Sequence, residues 1–591
     1  MARTMVQVFD EIVAQWPHMP ALRARRAGRW QATSWREYRS QARRAARAFM
    51  ARGLEAGQGV AILSFNRPEW FLANLAAILA GGVPAGIYIS CSPDQCQYIT
   101  DHCEAPIIVV EDAAQLEKIR KVPDQLPRLK TIVLLDGSDP AEDVVSWDDL
   151  LTCADEITEE ALDERIAVQR PDDLCTLIYT SGTTGPPKAV MLSHRNITWI
   201  CEAIMRTLEH LEYGPDDQVV SYLPLSHIAE QIVSLHTPMH YGGCVWFVES
   251  LETLGETLKE ARPSMFFAVP RVWEKIQAKI IAAAAGNSGL KKKIGAWARG
   301  VGLEGARAME AGRRRPLFYP LADKLVFTKV RAALGFDRCR LWVTSAAPIA
   351  LDTLEFFVSL GVPIVEVYGM SEATGTTTIA LPDRYKVGKA GHAIPGTELK
   401  IAADGEICMR GPHIFKGYFK DEAATAEALD DEGWLHSGDI GTLDADGFVQ
   451  ITDRKKELIV TAGGKNIAPQ MIESLLKSIP AVGQAVAIGD RRKFISALIA
   501  LDGENVAAEA EKAGIGERDL VEVARSPVFH DYLGRQIEAV NAKVSKVEGV
   551  KRFVILPSEL TPEGGELTPT LKLKRRVIHE KYAAEIDSMY D

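Results

Sequence analysis

A short apolar run, Leu174–Ile178, breaks into the segment Tyr179-Thr-Ser-Gly-Thr-Thr-Gly-Pro-Pro-Lys188, and this junction constrains the chain more than any other feature. Ser181, Gly182, Thr183, Thr184 and Gly185 put three hydroxyls and two glycines in consecutive positions. Glycine lets backbone N–H groups converge on an anion, the hydroxyls add donors, and Lys188 adds positive charge. A strand ending in such a loop predicts a phosphate site at the carboxyl edge of a sheet. The segment is not the GxxxxGK[ST] phosphate loop, because only two residues separate Gly185 from Lys188 and Ala189 follows. That spacing disfavours a kinase or a P-loop ATPase.

Apolar runs recur at Gly59–Ser64, Pro106–Asp112, Thr131–Asp136, Met265–Pro270, Arg340–Ala346 and Pro363–Gly369, with helical stretches such as Glu69–Gly82 between them. The alternation predicts an α/β fold of parallel sheets covered by helices. From about Lys386 the texture becomes short and turn-rich, and Asp404-Gly405 and Asp446-Gly447 are hairpin signals. We read 386–455 as a small antiparallel β subdomain that completes an N-terminal domain, 1–455. A mixed α/β domain, 456–591, follows a boundary near Asp453–Lys456.

A chain of 591 residues exceeds one hydrophobic core. Its net charge of -11 argues against general nucleic-acid binding. Nine scattered cysteines without a CxxC pair read as reduced thiols and not as zinc ligands. With neither a signal-peptide pattern nor a run of roughly 18 apolar residues, the expected location is cytoplasmic. Two basic stretches, Arg23–Arg52 and the pair Lys291–Lys293 with Arg313–Arg315, read as solvated helix faces or loops; peripheral attachment to an anionic membrane surface is the alternative.

Four further segments join the first in order: Tyr368-Gly-Met-Ser-Glu-Ala-Thr374, Trp434-Leu-His-Ser-Gly-Asp439, Asp453-Arg-Lys-Lys-Glu-Leu-Ile-Val-Thr-Ala-Gly-Gly-Lys465 and Leu567-Thr-Pro-Thr-Leu-Lys-Leu-Lys-Arg575. With Tyr179–Lys188 they make the chain, from about residue 10 to 585, similar to the adenylate-forming (AMP-binding) superfamily of acyl-CoA synthetases, nonribosomal-peptide adenylation domains and firefly luciferase. The resemblance implies a large N-terminal domain of parallel sheets with a small β-barrel-like subdomain, then a small mobile α+β C-terminal domain. It also implies ATP, Mg2+ and coenzyme A: a carboxylate attacks the α-phosphate of ATP, and a thiol then displaces AMP.

By the same resemblance, Thr180 and residues 181–185 with Lys188 hold phosphates, Thr184 among the catalytic groups. Glu372 ligates Mg2+, and Tyr368 stacks on adenine within the segment Gly369, Met370 and Ser371. Thr374 adds a phosphate or carboxylate contact. Ser345, Ala346, Ala347 and Pro348 line the other side of the base. Asp439 takes the ribose hydroxyls, and Arg454 lies at the ribose and phosphate. Lys572 is the adenylation lysine, with Leu571 in place of the family's glycine and Lys574 as its rival. Lys456 matches the hinge, while Gly463 and Lys465 match the pantetheine tunnel. His227, in Leu223-Pro-Leu-Ser-His-Ile-Ala-Glu230, resembles a group lining the acyl and pantetheine channel.

Val269-Pro-Arg-Val-Trp-Glu274, the basic helical insertion near 280–330 and Leu567–Lys572 together resemble the long-chain fatty acid–CoA ligases. An acyl-AMP ligase that loads a carrier protein, a medium-chain or aromatic acid CoA ligase, and a non-catalytic nucleotide-binding relative are the alternatives. Homodimers occur in the family.

Overall fold

The computed structural model describes residues 2–591 apart from 123–124, 181–185, 287, 463–464, 517–518, 563 and 569–571, and apart from the side chain of 466. The largest sheet has seven strands, in spatial order Val144–Ser146, Thr131–Leu134, Ile107–Val110, Gly59–Leu63, Val83–Gly86, Leu174–Thr180 and Lys188–Ser193. All neighbours are parallel except the last pair. Central strands such as Ile107–Val110 are buried at every position, as expected where helices cover both faces. One covering helix, Pro68–Leu79, starts with proline at its first turn and is buried from Trp70 to Leu79, so small residues such as Ala73, Ala76 and Ala77 let it sit close. The helix Trp35–Ala51 packs on the outside of the first and begins with a capping box in which Ser34 and Glu37 bond each other's backbone.

The expectation of parallel sheets needs one correction. Each sheet of the N-terminal part ends in antiparallel strands: Leu174–Thr180 turns back as Lys188–Ser193, and a five-stranded sheet runs parallel through Met265–Ala268, Leu341–Thr344 and Ile364–Tyr368 before two short antiparallel strands. The second of these, His392–Ala393, belongs to that sheet, so the turn-rich antiparallel sheet begins at Glu398 and continues through Glu406–Arg410, Leu435–Leu443 and Val449–Arg454. Gly405 and Gly447 take the positive φ that their hairpins require.

Among the described residues, each apolar core cluster lies wholly before residue 452 or wholly after 458. Beyond that point a sheet of Val482–Ile488, Ile495–Leu501 and Val550–Ile555 packs against the helices Pro469–Lys477 and Pro527–Asn541. Ion pairs join the two parts: Arg271 with Asp502, Lys275 with Glu504 at 2.7 Å, and Lys543 with Asp352 at 3.2 Å. Among the described residues, no helix is long and apolar enough to cross a membrane.

Candidate active site

The strand Ile364–Tyr368 delivers Tyr368 at its carboxyl end, and the chain folds back at once. A one-turn 3-10 segment, Ser371–Ala373, precedes Thr374 and Gly375 at positive φ, and the Thr377 N–H donates to the Tyr368 carbonyl at 2.8 Å. A Cβ on Gly369 would lie 1.8 Å from the Gly375 carbonyl oxygen, so the fold-back requires glycine there. Buried Glu372 projects from this turn and accepts the Tyr418 hydroxyl at 2.7 Å. The Lys188 ammonium lies 4.9 Å from the centre of the same tyrosine ring. Lys188 is paired with Thr180 across the neighbouring strands, which places the ends of both strands near Tyr418 and Glu372. Ser181, Gly182, Thr183, Thr184 and Gly185 lie outside the described residues, as does Gly463.

Asp439 and Arg454 face each other across neighbouring antiparallel strands. Asp439 is buried and held from two sides: Tyr368 donates to Oδ2 at 2.8 Å, and Arg454 Nε lies 2.9 Å from Oδ1. Burial raises the Asp439 pKa, against the opposing pull of Arg454 and the Tyr368 hydroxyl. The carboxylate keeps further lone pairs able to accept hydrogen bonds.

Lys572 reaches this group from the far end of the chain. Its loop is pinched shut by Thr568, whose N–H donates to the Lys572 carbonyl at 2.7 Å and whose hydroxyl accepts the Lys572 N–H at 3.0 Å. The side chain stays accessible at the open cleft while protein atoms crowd its other sides. That desolvation, together with the Arg454 guanidinium, holds its pKa below the ordinary lysine value; Asp439, Glu372 and Glu457 pull the other way. Arg575, three residues on, makes a two-pronged bond to Glu473 at 2.8 and 2.9 Å and a third to Glu457 at 3.1 Å, which fixes where this loop emerges. Lys574 lies elsewhere: its N–H donates to the Glu566 carbonyl, and its charge acts on Cys91.

His227 accepts the Ala229 N–H on Nδ1 at 3.1 Å, which leaves Nε2 to carry the proton. Burial, and then the charge of Lys572, lower its pKa to about 4, so the ring is neutral and faces the same cleft. Ser345 donates to the Val367 carbonyl at 2.8 Å, while Ala346, Ala347 and Pro348 are exposed, with Ala346 at φ 73. Met370 packs against the main core, and Ser371 is buried. Lys456 is exposed and pairs with Glu427 at 3.0 Å. Lys465 sits exposed beyond the short strand Ile459–Val460, its backbone bonded to Thr461; the structure does not bring it to Glu372 and Lys572.

Thr374 corrects an expectation. Its hydroxyl is fully buried and donates to the His413 carbonyl at 2.5 Å, so it braces the fold-back instead of facing a phosphate.

Two features escaped sequence reasoning. An apolar pocket lies between the five-stranded sheet and the segment Gln231–His236, a π-helical turn of a kind often found at functional sites. Its walls include Ile232, Val233, Phe267, Val343, Ser345 and Gly375, so it opens beside the Tyr368 fold-back. Glu406, Cys408 and His436 also converge, brought together by cross-strand register that no linear spacing reveals. The Lys455 ammonium is already 2.9 Å from that glutamate. A second depression, at Asp10, Arg39 and Arg43, lies far from this chemistry, and its arginines are bonded to Asp10, Glu159 and Asp163.

A fold of this order, with a buried acid bonded to a tyrosine and an arginine, a second carboxylate near the Thr180–Lys188 strand ends and a lysine from the last part of the chain, is that of an adenylate-forming enzyme. The model of the AMP-binding enzyme family matches residues 9–419 and that of the AMP-binding enzyme C-terminal domain matches 456–591; the chain belongs to this family. It is 43% identical to the long-chain-fatty-acid–CoA ligase ACSBG2 of Xenopus laevis, over 99% of this chain and 84% of that protein. To ACSBG2 of Homo sapiens it is 38% identical, over 99% and 92%. Among solved structures, the A domain of a carboxylic acid reductase from Segniliparus rugosus, in complex with AMP and a co-purified carboxylic acid, superposes with a TM-score of 0.75 at 20% identity, covering 99% of this chain and 94% of that one. The anthranilate CoA ligase AuaEII, in complex with anthranoyl-AMP, gives 0.74 at 18% identity, covering 98% and 97%.

Proposed function

We propose that the protein ligates a long-chain fatty acid to coenzyme A through an acyl adenylate, releasing pyrophosphate and then AMP. The observation that carries this reading is the convergence of Lys572 with Glu372, Asp439 and Arg454, in a molecule whose apolar pocket is lined by Val367 and Gly375 on either side of the Tyr368 fold-back. The identity to ligases named for long-chain fatty acids supports the choice of acid.

The first half-reaction drives a carboxylate onto a polyphosphate, so its barrier is dominated by like-charge repulsion. Asp439 and Arg454 seat the ribose, Tyr368 and the open Ser345–Pro348 loop sandwich the base, and residues 181–185 with Thr180 and Lys188 cradle the phosphates. Lys572 places an ammonium between the attacking carboxylate and the α-phosphate, where negative charge builds. The donor set fits Mg2+: Tyr418 takes one oxygen of Glu372, and the other is the hard anionic ligand that this ion prefers. When bound, Mg2+ would draw charge from the phosphate oxygens. The acyl chain lies along Ile232, Val233 and Phe267, where each methylene contributes about 0.8 kcal/mol, so neighbouring chain lengths are separated weakly.

The second half-reaction requires Lys572 to withdraw and a thiol to enter. Lys456 is the proposed pivot, and Gly463 and Lys465 the proposed guides of the pantetheine arm. His227, neutral with its Nε2–H toward the cleft, serves as a pocket-lining donor. The nine free cysteines support a reducing, cytoplasmic compartment.

Mass spectrometry of products from ATP, Mg2+ and a mixture of short, medium, long-chain and aromatic acids, with and without coenzyme A, tests the reading. Long-chain acyl-CoA with AMP is expected. Acyl adenylate with no thioester would reassign the protein to carrier-protein loading, and thioesters of aromatic acids alone would overturn the fatty acid.

A further inference from the structure

We infer that the outer face of the helical run from residue 319 to 334 is a docking surface for an anionic lipid bilayer. The run is continuous, passing from Tyr319–Ala322 through the π-helical turn Asp323–Phe327 into Thr328–Leu334. Its inner side has its own small core, Ala322 and Phe327 against Ala298 and Val301 of the helix Gly289–Glu310. Its outer side carries large apolar groups in water: Leu317 is 88% exposed, Phe318 58%, Leu321 47% and Leu325 39%. Leu321 and Leu325 lie about one turn apart on the run, and Leu317 and Phe318 sit in the turn that leads into it, so the exposed apolar groups are close together in the chain.

Charge identifies what covers these apolar groups. Arg313 and Arg314 precede it, Lys324 and Lys329 flank it, and all four are exposed. Among the described residues none of the four pairs with a carboxylate. In the other basic stretch several arginines are neutralised, Arg25 by Glu260, Arg39 by Asp10 and Arg43 by Asp163. In a chain of net charge -11, unneutralised cations around exposed apolar groups form an anion-seeking surface. A second copy of the chain is disfavoured, because twofold docking of this face would oppose like charges. An amphipathic helix with basic groups framing exposed leucine and phenylalanine is the kind that lies in the headgroup plane, apolar side down and cations among the lipid phosphates.

The test is cosedimentation of the full chain with phosphatidylcholine vesicles with and without phosphatidylglycerol. Adenylate formation from a soluble medium-chain acid is measured on every variant, so failure of the ligase reading shows separately. Wild-type protein is expected to sediment only with the phosphatidylglycerol vesicles and to release at high salt. Arg313→Gln and Arg314→Gln should each weaken binding about fivefold. Leu317→Ser, Phe318→Ser and Leu321→Ser together should abolish it with solution adenylation unchanged. Wild-type protein that ignores anionic vesicles, binds both compositions equally, or still binds after the triple change overturns the proposal. So does a wild-type dimer that the triple change makes monomeric, which would assign the face to a second copy.

Discussion

The Tyr368 hydroxyl and the Asp439 carboxylate are bonded at 2.8 Å, so the groups proposed to hold the base and the sugar are one unit. Tyr368→Phe keeps the ring and removes the donor. A hydrogen bond to a charged group contributes about 1.5–3 kcal/mol, so the Michaelis constant for ATP should rise by about tenfold or more. Steady-state kinetics with varied ATP check this; an unchanged constant would separate the two residues functionally.

Lys572→Ala should abolish acyl-adenylate formation and leave thioester formation from supplied acyl adenylate largely intact. Its folded pKa lies below its unfolded value, so folding disfavours the charged form. That cost is present while the lysine is charged in both states, and it disappears as pH rises past the unfolded value. Alanine should therefore melt at the same temperature as wild type or higher at neutral pH. Wild-type adenylation should decline on the alkaline side before an ordinary lysine titrates. Stopped assays across pH and thermal melts give both readouts.

Lys456→Pro should have the opposite kinetic effect, preserving adenylation and blocking thioester formation, because a locked φ stops rotation at the proposed pivot. Wild-type thioester turnover in this variant would move the hinge elsewhere.

Glu230 offers a pH prediction remote from the phosphates. It is buried, accepts from Ser221 at 2.7 Å and Ser234 at 2.8 Å, and burial raises its pKa from 4.5 to about 8. The folded state therefore holds a proton that the unfolded state has released. Its stabilising contribution is full below pH 4.5, falls through the interval and levels off above about 8. Melting of Glu230→Gln should lack this slope; an identical pH profile would mean the carboxyl is ionised in place.

Arg575 is bonded to Glu473 and Glu457 within the protein. Arg575→Met leaves both carboxylates without that partner and should destabilise the C-terminal part by about 3–5 kcal/mol, measured by chemical denaturation.

What the sequence made legible was local. The Thr180–Lys188 segment, the Tyr368–Thr374 segment and Asp439, which carry the resemblance to the AMP-binding enzymes, each occupy a few consecutive residues, so composition within one turn marks them. What it hid depends on strands meeting. The apolar pocket takes Ile232, Phe267, Val343 and Gly375 from four separate elements, and no periodicity marks them as neighbours. Tyr418 meets Glu372 across 46 positions. Thr374 misled because its hydroxyl suits a phosphate, whereas His413, which takes it up, approaches only in the folded chain.

The two parts of the molecule meet through Arg271, Lys275 and Lys543 and their carboxylates, with no shared oily core among the described residues. Such a seam behaves like a magnetic catch and not like glue. It closes over some distance, releases without dragging wet hydrocarbon surface into water, and weakens as the surrounding electrolyte thickens. The release of the small domain that the proposed second half-reaction requires should therefore quicken as the ionic strength rises.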